Sequence, residues 1–302
     1  MTWTVTEPVI DLGALRDARA RYPERITELA AQRRRRPLLG DDGRLLLVAA
    51  DHPARGALGV RGDPHAMAGR DDLLRRLVVA LRRPGVDGVL GTADIIEDLL
   101  LLGELDDKVV IGSMNRGGLQ GATFELDDRF TGYDVPTLVA LGLDGGKMLC
   151  RIDLTDAGSV ATLEACGRAV TELSRNNLMA MVEPFMSQRQ GDRVVNQLTA
   201  EAVVKSVGIS SGLGATSART WLKLPVVDGM EQVMAATTLP TLLLGGDPSG
   251  APEETYALWQ KAQSLPNVRG LVVGRALLYP PDGDVSAAVD AAVGTVRGGV
   301  PV

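Results

Sequence analysis

The sequence is poor in the residues that most metal and redox sites require. It holds two histidines, His52 and His65, and two cysteines, Cys150 and Cys166. A three-histidine zinc site cannot be built from that set. Two cysteines without framework spacing fit a reduced, cytoplasmic protein better than a disulfide scaffold. No metal or other cofactor is therefore expected, although the plentiful Asp and Glu keep a carboxylate-bound magnesium compatible with the composition. Long apolar runs are missing as well. None reaches about 18 residues, so no membrane span is expected. The start, "MTWTVTEPVIDLG", has no charged stretch followed by an apolar one, so no signal peptide is expected either. An excess of positive charge is also absent. The formal net charge is −6, which leaves no electrostatic footprint for nucleic acid. The one basic run, Arg33 to Arg36, closes an N-terminal helical pattern and reads as a solvated helix end. Lysine is scarce: Lys108, Lys147, Lys205, Lys223 and Lys261 are all there are.

What is present is a repeated grammar. From residue 45 onward, eight short apolar runs end in Gly, Asp, Asn or Arg, and helical patterns follow most of them. The runs are 45–51, 86–91, 108–115, 145–153, 178–184, 220–227, 240–246 and 269–276. Runs without polar alternation suit strands buried on both faces. Helical patterns cover 71–82, 94–102, 156–174, 197–207, 228–236 and 253–264. Eight strands alternating with helices predict an α/β protein, a (β/α)8 TIM barrel over 45–302. Residues 1–44 form an N-terminal helical extension of one or two helices, expected to cover the lower end of the barrel. An open doubly wound sheet would want a G-x-G-x-x-G turn after its first strand, and none is there. The Gly-rich stretch 113–135 is the longest connection, and long loops after barrel strands often shape a substrate site.

Active sites of such barrels lie at the C-terminal strand ends, so the polar residues there are the candidates. Lys223 stands inside the apolar run "TWLKLPVV". It is either a strand-end lysine reaching solvent or an amine kept dry for Schiff-base chemistry. Lys147, two runs earlier in "GGKMLCRID", is expected to face it across the barrel mouth, each amine depressing the pKa of the other. Asp51 ends the first run and Glu183 the fifth, each as a capping carboxylate or as a proton-handling group. Gly245 and Gly246 end the seventh run, and Gly274 and Arg275 the eighth, where barrels commonly hold phosphate. Arg151, in the fourth run, joins them as a candidate anion ligand.

Taken in order, "AADHPARGALG", "GGKMLCRID", "MVEPF", "WLKLPV" and "VVGRAL" resemble motifs of the class I aldolases of the deoxyribose-phosphate / tagatose-bisphosphate aldolase superfamily. The likeness spans about residues 45–280 and is greatest to the tagatose-bisphosphate and sulfosugar-phosphate branch. It implies a metal-independent lyase acting on a phosphorylated sugar. Lys223 would form the imine, Lys147 tune it, Asp51 and Glu183 handle protons and hydroxyls, and Arg275 with Gly246 hold phosphate. Phe185 stands near the place where archaeal-type fructose-bisphosphate aldolases put an acid/base tyrosine, which sets that branch apart. The turn "GDPSG" departs from the tagatose pattern. Related aldolases are associated with inositol breakdown, and that resemblance implies 2-deoxy-5-keto-gluconate 6-phosphate as the substrate. A deoxyribose-phosphate-type aldolase, a metal-dependent isomerase and a barrel that binds a sugar phosphate without turnover are the rival expectations. Barrels of this kind frequently assemble, so a homo-oligomer is expected.

Overall fold

The computed structural model describes residues 8–116, 118–246 and 252–298. Two helices come first, α1 (Leu12–Arg21) and α2 (Arg25–Gln32). The strands are β1 (Leu45–Ala49), β2 (Gly88–Gly91), β3 (Val109–Ser113), β4 (Gly145–Ile152), β5 (Met179–Gln190), β6 (Arg193–Asn196), β7 (Thr220–Leu224), β8 (Thr241–Leu244) and β9 (Val268–Val273). Helices α3 (Arg70–Arg82), α4 (Ala93–Leu101), α5 (Val135–Ala140), α6 (Gly158–Arg175), α7 (Ala200–Ser211), α8 (Met230–Ala235) and α9 (Pro252–Gln263) separate them, and α10 (Arg275–Leu278) and α11 (Val285–Arg297) close the chain. Eight of these strands pair in parallel, and the β4–β5 pairing completes the ring. The fold is a closed (β/α)8 TIM barrel, as the strand rhythm predicts.

One element was not anticipated. β5 runs on past residue 184 to Gln190, turns through Gly191 and Asp192, and pairs antiparallel with β6. Gly191 takes φ 64 in this turn, where a β-carbon would be strained. The hairpin therefore rises from the barrel as a ninth strand that takes no part in the ring.

Side-chain parity sorts the strands into two cores. Odd-numbered positions of β1, Leu45, Leu47 and Ala49, point inward with Met179, Met181, Trp221 and Leu242. Even-numbered positions, Leu46 and Val48, point outward against the helices. The barrel floor is thus a packed apolar plug.

Contrary to the expectation from sequence, the N-terminal helices do not cover that floor. They pack on the barrel's flank against α4, where Arg19 donates to Glu97 Oε2 (2.8 Å), Asp98 Oδ1 (2.9 Å) and the Asp94 carbonyl (2.9 Å). The segment after them does the covering: Leu38 and Leu39 pack against the inner core. The four arginines are a solvated helix end only in part: Arg34 and Arg35 are exposed, but Arg33 is buried, and each guanidinium finds a partner beside a strand start. Arg34 meets Asp107, Arg35 meets Asp144 and Arg36 meets Asp87. Arg33 is buried and donates to the carbonyls of Lys108 (2.8 Å) and Gly142 (2.7 Å). Arg33→Ala would orphan two carbonyls, and a loss of about 1–3 kcal/mol is expected in urea unfolding; a change under about 0.5 kcal/mol would mean the staple is ornamental.

Candidate active site

Above the apolar floor the inward positions change character. By the same parity, Asp51 follows Ala49, Glu183 follows Met181, Lys223 follows Trp221, and Lys147 precedes Leu149. All four side chains converge inside the upper barrel and all are buried. Lys147 donates to Asp51 Oδ2 (2.8 Å) and contacts Glu183 Oε2 (2.6 Å). The other oxygen of Glu183, Oε1, lies 3.0 Å from Lys223 Nζ. Two ammonium carriers and two carboxylates thus alternate in one chain, Asp51–Lys147–Glu183–Lys223. The side chains of Lys147 and Lys223 are only 3% and 5% exposed.

The two lysines do not depress each other equally, which corrects the expectation from sequence. Burial works against the charge on Lys147, but Asp51 and Glu183 flank it, and together they push its pKa above the ordinary lysine value. Lys223 has only Glu183 at contact distance. Burial, reinforced by the Lys147 cation, outweighs that carboxylate and moves the Lys223 pKa down. Burial also opposes the charge on both carboxylates, yet the lysines win: Asp51 falls far below the usual carboxylate range and Glu183 to about 2. One lysine is a fixed cation between two fixed anions. The other is the group in the set whose neutral form is brought within reach.

Over this layer lies a small apolar one, Leu149, Phe185 and Leu244. Phe185 brings no hydroxyl to the site. A cavity of about 890 Å³ opens here, with Glu183 and Lys223 in its wall. Gly245, Gly246, Gly274 and Arg275 line the same cavity. A β-carbon on Gly274 would stand 2.4 Å from the Ala49 carbonyl oxygen and 3.0 Å from His52 Cε1. The backbone at the start of α10 therefore lies against β1, which only glycine permits. Asp247, Pro248 and Ser249 of the "GDPSG" turn fall outside the described residues. Arg151 also lines the cavity, with its guanidinium engaged by Glu125 Oε1 (2.5 Å) and the carbonyls of Glu125 (2.5 Å) and Gly118 (3.2 Å). Its grip orders the 118–128 loop, from which Gln120, Gly121 and Glu125 reach the cavity. The place between Asp51 and Glu183 is filled by the Lys147 ammonium, and no group of three His, Cys, Asp or Glu among the described residues is arranged to hold a metal ion.

A family model described as Cgl0159-like matches residues 43–293, which takes in every strand of the barrel. The chain belongs to the Cgl0159-like family. The crystal structure of Cgl0159 from Corynebacterium glutamicum (Brevibacterium flavum) is 56% identical, with a TM-score of 0.94 over 97% of this chain and 100% of that one. An archaeal fructose 1,6-bisphosphate aldolase aligns at TM-score 0.63 and 19% identity, covering 91% of this chain and 100% of its own. A Schiff-base-forming fructose-1,6-bisphosphate aldolase aligns at TM-score 0.62 and 20% identity, covering 90% and 99%. At such identities the likeness to aldolases is one of fold. No curated protein matches the sequence.

Several cavity residues of this Cgl0159-like chain escaped the sequence reading. His52 lies in the wall with Nδ1 3.8 Å from Asp51 Oδ1 and no hydrogen-bond partner. Burial holds its pKa down to about 4 against the pull of Asp51, so the imidazole is neutral at physiological pH. Arg55, Arg193 and Asn196 are the others. Arg193 and Asn196 come from the hairpin, and the Gly-Asp pair after a strand is the turn signal that would have revealed it. Among the described residues no helix is long and apolar enough to cross a membrane. Both cysteines are buried free thiols.

Proposed function

We propose that this chain is a class I aldolase of the deoxyribose-phosphate / tagatose-bisphosphate type, cleaving a phosphorylated ketose or keto-sugar acid through an imine on Lys223. The observation that supports this best is the asymmetry of the two lysines. A lysine whose neutral form is favoured by burial and a neighbouring cation is a nucleophile for a carbonyl. Its fixed partner, Lys147, keeps two carboxylates ionised beside it.

In this reading the Lys223 Nζ adds to the substrate carbonyl carbon, and the carbinolamine loses water to give a protonated imine. That imine draws the electron pair of the breaking C–C bond, while a proton leaves the β-hydroxyl for a carboxylate of the cluster. An aldehyde departs, the enamine takes up a proton at carbon, and water releases the ketone. Lys147 contributes a permanent positive charge beside developing oxyanions. With Phe185 where a tyrosine would stand, proton traffic falls to Asp51 and Glu183. Gly246, Gly274 and Arg275 supply backbone N–H groups and a guanidinium for phosphate. Candidate substrates are 2-deoxy-5-keto-gluconate 6-phosphate and tagatose or sulfosugar phosphates.

Sodium borohydride trapping across a panel of ketose phosphates tests the proposal. The expected result is an irreversible mass increase on the peptide carrying Lys223, and only with compounds that are turned over. A substrate that is cleaved yet leaves no adduct on Lys223 overturns the imine.

A further inference from the structure

His52 stands in the cavity wall although strand alternation would turn it away. Position 52 shares the parity of Leu46 and Val48, which point outward. But β1 ends at Ala49, and His52 takes φ −62 and ψ −43 at the head of a 3-10 turn over Pro53–Arg55. That helical twist breaks the alternation and brings the imidazole to the side of Asp51. The His52 carbonyl holds the turn, accepting from the N–H groups of Arg55 (3.0 Å) and Ala57 (3.3 Å). Cε1 rests against Gly274, where a β-carbon would come within 3.0 Å of it. The ring is thus held between the end of β1 and the start of α10, and the missing side chain of Gly274 makes room for it.

The other proton acceptors are occupied. Among the described residues of the cavity wall, besides the Lys223 amine, they are His52, Glu125 and Glu183. Glu125 is clasped by Arg151 (2.5 Å). Glu183 has one oxygen 2.6 Å from Lys147 and the other 3.0 Å from Lys223. Asp51 is bound to Lys147 (2.8 Å) and is not part of the wall. Neither ring nitrogen of His52, by contrast, hydrogen-bonds to a described residue. Nδ1 is sealed from solvent 3.8 Å from Asp51 Oδ1, while the side chain keeps 26% of its surface open, so the edge turned to the cavity is the one that carries Nε2. Asp51 and Glu183 act on the ring against Lys223 and Arg275, two charges of each sign, and burial keeps it neutral. A neutral ring beside an anion places its proton on Nδ1, toward the carboxylate, and leaves a lone pair on Nε2.

We infer that His52 is the general base of the cleavage step, taking the β-hydroxyl proton on Nε2 while Asp51 steadies the charged ring through Nδ1–H. This rests on the aldolase reading and narrows its proton traffic to one entry point, with Asp51 behind it. The O–H bond of the β-hydroxyl breaks and an N–H bond forms at Nε2. The oxygen's electron pair makes the aldehyde C=O, and the pair of the breaking C–C bond moves to the imine on Lys223, giving the enamine. The imidazolium then gives its proton to the enamine carbon, which restores the base. Nδ1 needs to come about 1 Å nearer to Asp51 for a full hydrogen bond, the kind of tightening that catalytic contacts undergo when substrate binds.

Single-turnover kinetics of His52→Gln separate this role from a structural one. The probes are tagatose 1,6-bisphosphate and 2-deoxy-5-keto-gluconate 6-phosphate, whichever the wild type cleaves. The variant should still form the borohydride-trapped adduct on Lys223, within about threefold of the wild-type rate. Cleavage should fall on the order of 10²- to 10³-fold. Imidazole added to His52→Ala should raise cleavage about tenfold or more, in proportion to its concentration. Equal loss of adduct and cleavage, or cleavage within about threefold of wild type, overturns the general base. A wild type that neither cleaves nor traps either probe overturns the aldolase reading itself, and this role with it. The wild type also decides the matter if the variants fail to fold. With histidine ring nitrogens labelled for NMR, and His65→Gln to assign the two residues, His52 should carry its proton on Nδ1 and none on Nε2. The opposite tautomer overturns the proposal.

Discussion

Lys223→Met should abolish turnover while leaving a folded, ligand-binding barrel. Methionine matches the length of the lysine stem, and removing one positive charge beside Glu183 leaves that carboxylate still bound to Lys147. The substitution removes the amine proposed to add to the carbonyl, so kcat should fall on the order of 10⁴-fold or more. The borohydride adduct should vanish with it. Calorimetric affinity for a sugar phosphate without a carbonyl should stay within about threefold, because Gly246, Gly274 and Arg275 are untouched. Residual turnover above about one per cent of wild type would show that the chemistry runs through some other group.

Lys147→Met should damage stability and chemistry together. In the wild type, Asp51 and Glu183 are buried with pKa values depressed by Lys147. A carboxylate whose folded pKa lies below its unfolded one adds stability that is present above the unfolded value, near 4, and is lost as pH falls through the folded value. Without Lys147, Asp51 loses its contact partner and burial pushes it up, while Glu183 keeps only Lys223 and is depressed less. At neutral pH the variant should therefore lose about 3–5 kcal/mol in urea unfolding, the cost of breaking a buried ion pair from one side. The gap from wild type should narrow as the pH drops below about 4, where both unfolded carboxylates protonate. A gap that stays constant from pH 7 to pH 3 would contradict the electrostatic account. The same substitution removes the cation that helps hold Lys223 down and frees Glu183 to pair with it alone. The Lys223 pKa should rise, and the acid limb of the pH–rate profile should move to higher pH. A shift toward lower pH would mean that Lys147 does not tune the imine lysine.

The barrel and the four central residues were legible for one reason. Strand parity is local, and a charged side chain two positions beyond a run of inward leucines must itself point inward. Asp51 after Leu45, Leu47 and Ala49 is the plainest case. What parity cannot give is which charge touches which. Lys147 and Lys223 look alike in sequence, and only the ring shows that one sits between two carboxylates while the other shares a single one. The partners of the arginine run escaped for the same reason: its acids, Asp87, Asp107 and Asp144, lie between 51 and 109 residues away along the chain. The hairpin was missed because beyond Met186 the strand leaves β4 and loses the apolar continuity that marks the other runs. Its residues Ser187 to Gln190 are polar, since one face meets solvent.

That hairpin also bears on how relatives of this protein can diverge. β5 carries Glu183 within the ring, where pairing to β4 and β7 fixes it, and the same strand carries the tip outside the ring, where β6 pairs with it and Arg189 ties it to Asp153, Asp156 and the Thr123 carbonyl. Insertions or deletions at the tip in pairs of residues keep every side chain on its original face, and a single-residue change turns Arg193 to the other. Lineages can thus lengthen, shorten or re-aim the rim without disturbing the ladder that positions the chemistry. Family members should accordingly keep the lysine–carboxylate chain and part company at the hairpin, even-numbered length changes tracking a retained ligand preference and odd-numbered ones a new one.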